Sequence, residues 1–445
     1  MKKTTKFIIT TTDEHLTSHS GLALIGTLIE NSGLRNGLRA VLPPKKSGAI
    51  SSDDAVISML GLLSLAKPDF AAVEQFRDDT YFRRCLGLKA IPSEETLRQR
   101  MDEIAKDAKD IRAALLAATV RLLHSHKPKL APCFKEYLPI DGDVSPFDNS
   151  GTKKEGVGFT YKKLDGYAPM FAYLCGYLLN AELREGKQHC QKGTPDFLQE
   201  TIVLARQITN RKLIVRLDAG NDHGENIRIC RRNKVDFVIK RNLRREDIGD
   251  WLATAILRGK RSDPRPGKVV YIGDTVIRPN GQLKNYRVVF KVTERTIDRN
   301  GQALLLPEID VATWWTSLGV RTASAEEVIA IYADHGTSEQ YHSEIKTDMD
   351  LERLPSGKFA TNGLILTMAV LTFNMLRLCG QTGMKNGFVP EKKVKRRRIR
   401  TVIQDMMYMA ARVVDHARRV YIAISRCNPL REMWAQTYLA FTELG

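Results

Sequence analysis

Three aspartates stand where the sequence predicts the ends of core strands. Asp141 and Asp143 lie in the run YLPIDGDVSPF, which is typical of a strand, and Asp218 follows the apolar run KLIVRL. Carboxylates at the carboxyl ends of strands face the crevice in which α/β sheets bind ligands. Converging carboxylates suit Mg²⁺, and pairs of such ions support phosphoryl transfer. Taken singly, each aspartate fits a turn at least as well, because Asp before Gly is a common turn pair.

A fourth acid, Glu339, lies in the segment IYADHGTSEQYHSEIK. Helical spacing places Tyr332, Glu339 and Lys346 on one face, and His335 joins them if the helix reaches back past Gly336. A face that carries an acid, a lysine and a tyrosine is not typical of a core. The spacing alone fits a solvated helix with salt bridges equally well.

Composition indicates a folded protein with a polyanionic partner. The 445 residues are 43% apolar, and 69 basic against 51 acidic residues give a formal charge of +18. Such a charge favours nucleic acid through steering and counterion release. The seven cysteines have no C-x-x-C spacing, which argues against a zinc site or a disulfide framework and for a reducing, cytoplasmic setting. The start lacks a secretory pattern, and residues 364–378 predict a buried helix rather than a membrane span.

Changes of pattern along the chain predict a multidomain α+β protein. Alternating strands and helices after residue 131 indicate an α/β core, in which residues 167–179 are predicted as one long strand. The predicted regions are a helical DNA-binding region at 1–130, a first core part at 131–240, a β-rich insertion at 241–314, a second core part at 315–380 and a basic helical C-terminal region at 381–445.

The helical N-terminal region contains a possible helix-turn-helix. Residues 76–85 predict a helix and residues 86–92 a turn, after which Ser93 caps a helix that carries Arg98 and Arg100. In a helix-turn-helix the second helix would enter the major groove. An ordinary helical hairpin with solvated arginines has the same pattern.

Together, these segments resemble one known family. The spacing Tyr332-x2-His335-x3-Glu339-x6-Lys346 is similar to the Y-x2-R-x3-E-x6-K signature of bacterial insertion-sequence DDE transposases. The runs DNSGTKKEG, RLDAG and GTSEQYH occur in the order found in that family, and the resemblance covers roughly residues 138–378. It implies a ribonuclease H-like catalytic core interrupted by a β-rich insertion between the second and third acids.

The resemblance implies a role for each matched residue. Asp218 would be the second catalytic acid and metal ligand and Glu339 the third. The first is either Asp141 or Asp143. Asp141 is followed by glycine, whereas Asp143 is followed by Val-Ser, which is similar to the hydroxyl-containing residues after the first acid of the family. Asp141 is preferred, and both are kept as candidates. Lys346 would hold a phosphate, and Tyr332 would lie near the scissile strand. His335 departs from the arginine of the signature, which leaves its role open.

Several other residues are predicted to contact DNA. Trp314 and Trp315 would stack on a flipped or frayed base, although a core strand fits them too. The run EKKVKRRRIR would contact the phosphate backbone or form a solvated linker. The basic residues concerned are Lys153, Lys154, Lys240, Arg241, Lys395, Arg396, Arg397 and Arg398.

The function implied by the resemblance is DNA transposition. The protein would bind the terminal inverted repeats of its element as a homodimer, and would cut and join them to target DNA with Mg²⁺, or Mn²⁺ in its place. It would act in the bacterial cytoplasm, in association with the nucleoid. The alternatives are a catalytically silent DNA-binding repressor and a metal-dependent nuclease that does not join strands.

Overall fold

A computed structural model describes residues 6–42, 50–278, 284–298, 300–385 and 396–444, and it shows a mixed α+β protein. The described α-helices are α1 (Leu22–Asn31), α2 (Leu34–Val41), α3 (Ser52–Ser64), α4 (Thr80–Cys85), α5 (Glu94–Ala105), α6 (Ala108–His126), α7 (Thr194–Ile208), α8 (Gly224–Arg232), α9 (Ile248–Arg258), α10 (Ala325–Ala333), α11 (Ser338–Ser343), α12 (Phe359–Lys385), α13 (Ile399–Val402) and α14 (Arg431–Thr442). Short 3₁₀-helices cover Phe70–Phe76, Ala219–Asn221 and Asp334–Thr337, and π-helical turns cover Glu344–Asp348 and Ile403–Met407.

The described strands are β1 (Leu16–Thr17), β2 (Leu138–Val144), β3 (Phe147–Asp148), β4 (Gly158–Phe159), β5 (Asp165–Tyr167), β6 (Met170–Leu174), β7 (Tyr177–Glu182), β8 (Leu213–Leu217), β9 (Asp236–Lys240), β10 (Lys260–Arg265), β11 (Lys268–Ile277), β12 (Tyr286–Ile297), β13 (Ala303–Thr316), β14 (Ala411–His416) and β15 (Arg419–Ile424).

A nine-stranded sheet forms the centre of the molecule. Its order is β10-β11-β12-β13-β9-β8-β2-β6-β7. β2, β8 and β9 run parallel, and the other pairs are antiparallel. β2 is buried along almost its whole length, as expected of a central strand with parallel pairing. The predicted α/β alternation over residues 138–241 is therefore confirmed.

Residues 167–179 do not form the single long strand that the sequence predicts. They contribute to β5, β6 and β7, and the turn between β6 and β7 consists of Cys175 and Gly176. Both residues have positive φ angles, of 51° and 85°. Two such residues make the tight reversal of a hairpin, which a window of apolar and aromatic residues conceals.

The predicted β-rich insertion is part of the same sheet. Residues 241–314 contain β10, β11, β12 and most of β13, together with α9, which the sequence analysis did not predict. β13 pairs with β9 through Trp314 opposite Lys240. The meander therefore extends the core sheet outward instead of standing apart from it.

The N-terminal helices differ from the predicted helix-turn-helix at the first helix. Residues 76–85 do not form one helix, because a 3₁₀-helix ends at Phe76 and the Asp79 side chain caps the six-residue α4. The predicted cap of α5 is confirmed, since Ser93 Oγ accepts a hydrogen bond from the Thr96 amide at 3.3 Å.

The sequence analysis predicted a helical C-terminal region, but this region also contains two strands. α13 and α14 are separated by the hairpin of β14 and β15, and β1 joins β14 to make a second, three-stranded sheet. Alternating residues such as RVYIAI favour a strand, and the turn at Ala417 and Arg418 has two positive φ angles. The N- and C-terminal regions therefore form one body.

The long helix α12 packs in the middle of this body, which confirms the buried helix predicted over residues 364–378. α12 is long and apolar enough to cross a membrane, but 94% of its most apolar window is buried inside the protein. No other helix in the described ranges meets that criterion.

We expect Gly26→Ala to destabilise the N-terminal helices. A Cβ atom at Gly26 of α1 would lie 1.8 Å from the carbonyl oxygen of Cys85 at the end of α4. Because backbone must move to relieve that clash, the free energy of unfolding should fall by about 1–3 kcal/mol. Gly37→Ala in α2 is the matched control, since its nearest neighbours lie 3.7 Å away; helix propensity should make it neutral or stabilising by up to about 1 kcal/mol. Urea unfolding measures both, and equal stabilities would contradict the packing.

Candidate active site

The carboxyl ends of β2 and β8 bring two aspartates side by side. In the register of this parallel pair Gly142 lies opposite Leu217. The next residues along the two strands, Asp143 and Asp218, are therefore neighbours at one edge of the sheet. Asp218 accepts a hydrogen bond from the Asn221 side-chain amide at 2.8 Å, which fixes one of its oxygens.

Glu339 completes a cluster of three carboxylates. It is exposed on α11, directly after the 3₁₀-helix Asp334–Thr337. Burial and the negative charges of Asp218 and Glu339 together raise the pKa of Asp143 to about 7, although a hydrogen bond from the Val144 amide and the charge of Lys162 oppose the shift. Asp218 and Glu339 are therefore close enough to Asp143 to repel its charged form, in a place where burial already disfavours that form.

Asp141 is committed to a buried ion pair instead. Arg216 donates from Nε to Asp141 Oδ1 at 2.6 Å and from Nη2 to Oδ2 at 2.8 Å, and both side chains are almost fully buried. Arg216 Nη1 also donates to the Ile331 carbonyl and to Asp334 Oδ2, at 2.7 and 2.9 Å. The pair ties β2 and β8 to the segment that leads to Glu339, and both carboxylate oxygens of Asp141 are occupied.

His342 lies against the acid cluster and was not identified from sequence. Its Nδ1 atom is 3.7 Å from Asp143 Oδ2, and its ring packs 5.4 Å from Phe171 and 5.6 Å from Tyr173. Burial, with the nearby charge of Lys346 acting in the same direction, lowers the pKa of His342 to about 3, so the ring is neutral. The signal available in the sequence was its spacing three residues after Glu339, which places both on one helical face.

Tyr332 and His335 stack on each other behind the acids. Their ring centroids are 5.7 Å apart with an interplanar angle of 16°. His335 is buried, and burial lowers its pKa, so it carries no permanent charge in the place where the resembling signature has arginine. Burial raises the pKa of Tyr332, and the charges of Asp218 and Asp143 add to that effect. Both rings therefore border the cluster as neutral groups.

Lys346 reaches the same edge from the π-helical turn. Its amino group donates to the Pro146 carbonyl and lies 3.3 Å from Glu352 Oε1, and burial lowers its pKa. Lys162, on the exposed loop between β4 and β5, is a second cation near Asp143. Sequence reasoning missed Lys162 because nothing in its local pattern distinguishes it from other surface lysines.

Both tryptophans predicted to stack on a base belong to the core sheet. Trp314 and Trp315 are 5% and 4% exposed. Trp315 donates its indole N–H to Asp222 at 2.8 Å, and the Arg241 guanidinium lies 4.5 Å above its ring. Arg241 is itself buried and pairs with Glu246 at 2.5 Å. In this structure neither indole nor Arg241 is accessible to DNA, because β13 is the neighbour of β9 inside the sheet.

The described part of the predicted basic run is held by acidic partners. Arg396 pairs with Glu344, Arg397 is buried and pairs with Asp405 at 3.3 Å, and Arg398 pairs with Asp348 at 2.7 Å. Lys395 lies outside the described residues. Burial removes Arg397 from contact with DNA in this structure, whereas contacts by Arg396 and Arg398 stay predictions.

The remaining predicted DNA contacts are divided between surface and interior. Lys153 is exposed, but Lys154 donates to Asn149 and to the Leu354 carbonyl and is half-buried. Lys240 ends β9 and is partly exposed. Arg98 and Arg100 are ion-paired within α5, to Glu95 and Glu103 respectively. None of these arrangements decides a role in DNA binding, which stays a prediction for each.

The donor chemistry of the acid cluster suits a hard divalent cation. Asp143, Asp218 and Glu339 offer oxygen ligands, and no described lysine or arginine lies within ion-pair distance of any of them. Burial, and then the charges of Asp218 and Glu339, raise the pKa of Asp143, and a bound cation would favour its charged form against both effects. In the described ranges, no three His, Cys, Asp or Glu side chains already converge to the spacing of a preformed metal site.

Comparison with known proteins gives one match along the whole length. The family model described as "Transposase DDE domain group 1" matches residues 1–445. A comparison with curated proteins found no match. Among solved structures, the chain is similar to one described as "Cryo-EM structure of piggyBac transposase synaptic complex with hairpin DNA", with 10% identity, a TM-score of 0.37, and coverage of 89% of this chain and 82% of that chain. That likeness is too distant to carry a structural argument.

Proposed function

We propose, from the premise that the chain belongs to the DDE transposase family, that it cuts and joins DNA at the cluster of Asp143, Asp218 and Glu339. The DNA would be the terminal inverted repeats of its own element, as the resemblance to bacterial insertion-sequence transposases implies. The proposal includes a ribonuclease H-like core. Its support is that two acids end adjacent parallel strands, and that a β-meander separates the second acid from the third.

The first acid in this proposal is Asp143 and not Asp141, which the sequence analysis preferred. Asp143 shares its electrostatic environment with the other two acids, whereas both oxygens of Asp141 accept from Arg216. The role assigned to Asp141 is therefore positioning, because its ion pair holds the two strands and the Asp334–Thr337 segment together.

Asp143, Asp218 and Glu339 would hold the metal ions, with Mg²⁺ as the expected ion and Mn²⁺ as a substitute. When bound, such ions activate an attacking oxygen and stabilise the leaving oxygen during in-line displacement at phosphorus. His342 excludes water from one side of Asp143, and its neutral ring adds no competing charge. Lys346 and Lys162 are placed to neutralise the backbone of the bound strand.

The proposed partners are duplex DNA and a second copy of the chain. The net charge of +18 supports binding to duplex DNA, including target DNA. Two copies would hold two element ends together, in the bacterial cytoplasm and in association with the nucleoid.

The observation that carries the proposal is that Asp143 and Asp218 end adjacent parallel strands, with Glu339 near enough for its charge to raise the pKa of Asp143, and Glu339→Gln tests it. With Mg²⁺ or Mn²⁺, the intact protein should cleave a plasmid that carries the DNA from both sides of its own gene. Glu339→Gln should lower that cleavage about a hundred- to a thousandfold, since one preorganised charge is lost, while DNA binding persists. Glu326→Gln, an exposed acid in the first turn of α10, is the matched control and should cleave normally.

Other outcomes identify the alternatives. Tight binding without cleavage in either metal would support a DNA-binding repressor. Cleavage without joined products would support a nuclease, and equal cleavage by the intact protein and Glu339→Gln would place the active site elsewhere.

A further inference from the structure

The ribbon made by β14 and β15 projects from the protein. Residues 415–421 are all exposed. Because side chains alternate between the two faces of a strand, a ribbon lying flat on the protein would bury every second residue. β1 pairs with Ala411 and Arg412 at the base of the ribbon, where the His15 carbonyl also accepts a hydrogen bond from the Val413 amide. Beyond that base, the ribbon has no neighbouring strand among the residues that the structure describes.

The tip of this ribbon is basic. Arg418 and Arg419 occupy it, Arg426 follows β15, and within the described ranges none of the three forms an ion pair. The only acid between residues 411 and 431 is Asp415. Arg84 of α4 neutralises Asp415 with two hydrogen bonds, at 2.7 and 2.9 Å. The projecting surface is therefore positively charged without local compensation.

The turn places an arginine where the backbone disfavours it. Ala417 and Arg418 have φ angles of 49° and 62°, the left-handed conformation of both central residues in a type I′ turn. Asn-Gly is the favoured pair for such turns, because side chains strain that conformation. A residue kept in strained conformation at an exposed tip points to a use for its side chain.

α4 extends the basic surface beside the ribbon. The Arg84–Asp415 contact joins the ribbon to α4, and Arg83, next to it in sequence, is exposed and has no ion-pair partner in the described part of the chain. A two-stranded ribbon has the width that the major groove of B-DNA admits. Arg83 is placed to meet the phosphate backbone beside that groove.

We propose that the β14–β15 ribbon enters the major groove of duplex DNA, with Arg418 and Arg419 on the phosphates. Tyr421 on β15 is 45% exposed, and in this arrangement its side chain faces the wall of the groove. The proposal rests on the proposed function for the identity of the partner. It adds a ribbon that is remote in sequence from the acid cluster and that lies beside α4, within the segment predicted as a helix-turn-helix.

The test removes the charge and keeps the turn. The ribbon variant combines Ala417→Asn, Arg418→Gly and Arg419→Gln. These changes introduce the favoured Asn-Gly turn pair and remove two positive charges. Its control combines Lys234→Gln and Arg321→Gln, two exposed cations without ion-pair partners among the described residues. Lys234 precedes β9 and Arg321 follows β13, at the edge of the sheet opposite the acids. All proteins carry Glu339→Gln so that binding is measured without cleavage.

Binding of a fluorescent duplex from the DNA beside the gene is measured over a range of salt concentrations. The ribbon variant should bind about tenfold more weakly near physiological salt, and its slope of log affinity against log salt should fall by about two. The control should keep the affinity and nearly all the slope. Thermal melting should show that the ribbon variant is folded, as the improved turn predicts.

The outcomes separate this proposal from the proposed function. Equal slopes and affinities for the ribbon variant and its parent would overturn the ribbon proposal, even where the wild-type protein binds and cleaves DNA. A wild-type protein that neither binds nor cleaves DNA would overturn both. A ribbon variant that binds DNA normally but loses self-association would overturn the DNA proposal and assign the ribbon to a protein contact.

Discussion

Cleavage should fall about a hundred- to a thousandfold when Asp143 is replaced by asparagine, while DNA binding persists. Asparagine keeps the shape of the side chain but supplies no negative charge for a metal ion between Asp143, Asp218 and Glu339. The measurement is strand cleavage with Mg²⁺ or Mn²⁺ on the plasmid substrate, beside binding measured without metal. Normal cleavage by Asp143→Asn would show that Asp143 is not one of the catalytic acids.

The same substitution should stabilise the metal-free protein. Asp143 has its pKa raised from 3.8 to about 7, mainly by burial. The folded state therefore keeps a proton that the unfolded state releases, and stability falls as pH rises from about 4 to about 7. The Asp143→Asn variant has no such pH-dependent loss of stability, because asparagine does not titrate. The loss in the wild-type protein amounts to at most about 4 kcal/mol, at 1.36 kcal/mol for each pKa unit. Urea unfolding with a chelator should show little gain near pH 4 and the full gain above about pH 7.

Asp141→Asn is the matched control, because it should act in the opposite direction. It leaves Arg216 buried without the carboxylate that accepts its two hydrogen bonds, and should cost about 3–5 kcal/mol. Loss of cleavage in Asp141→Asn should therefore accompany loss of stability. A stable Asp141→Asn that binds DNA but cannot cleave it, beside an active Asp143→Asn, would make Asp141 the first acid.

The choice between these two aspartates shows what sequence reasoning lacked. Asp141 and Asp143 are two residues apart in one strand, so they share a face, and a local pattern cannot separate them. The difference comes from Arg216 on the neighbouring strand, whose partner depends on strand register. The choice of Asp218 and Glu339 as candidates needed no such knowledge, because each lies in its own motif, and their catalytic roles stay predictions.

Fold prediction succeeded for strongly periodic segments and failed at tight turns. β2, β8, α7 and α12 follow from their apolar patterns. The β6–β7 and β14–β15 hairpins were missed, since their two-residue turns contain Cys-Gly and Ala-Arg in place of Asn-Gly.

The burial of the two tryptophans favours the core-strand interpretation over base stacking. Aromatic residues near a β-rich insertion fit a stacking surface and a core strand equally well in sequence. Trp314 and Trp315 lie in the stretch of β13 that pairs with β9, and that pairing is a tertiary contact between distant segments. The same long-range packing turns the basic residues Arg241 and Arg397 inward.

A loss of stability as large as that of Asp141→Asn is expected from Glu344→Gln. Glu344 is 1% exposed, and its Oε2 atom accepts from Arg377 Nη2 at 2.6 Å. Its Oε1 atom accepts from Arg396 and from the Ile399 amide. A glutamine side chain supplies no charge, so Arg377 would be left buried and unpaired, at a cost of about 3–5 kcal/mol. Urea unfolding measures the loss, and Glu95→Gln, which breaks an exposed pair, should barely change stability.

A double substitution separates charge pairing from packing. Burial lowers the pKa of the Arg377 guanidinium, although its ion pair with Glu344 opposes that shift. When Glu344→Leu is combined with Arg377→Met, no buried charge of this pair remains, and apolar side chains of similar size can fill the space. The double variant should therefore be more stable than Glu344→Gln. A double variant that is less stable than the single one would show that shape, and not charge, limits the site.

The consequence for cleavage follows from the position of Glu344 in the chain. It begins the π-helical turn directly after α11, which carries Glu339, and Lys346 lies within that turn. A π-helical turn departs from the regular helical spacing, so Lys346 leaves the line predicted for it and reaches the Pro146 carbonyl after β2. The contacts of Glu344 with Arg377 and Arg396 hold this turn in place. Glu344→Gln should therefore reduce cleavage even at temperatures where the protein stays folded, and unchanged cleavage there would show that the turn keeps its shape without the pair.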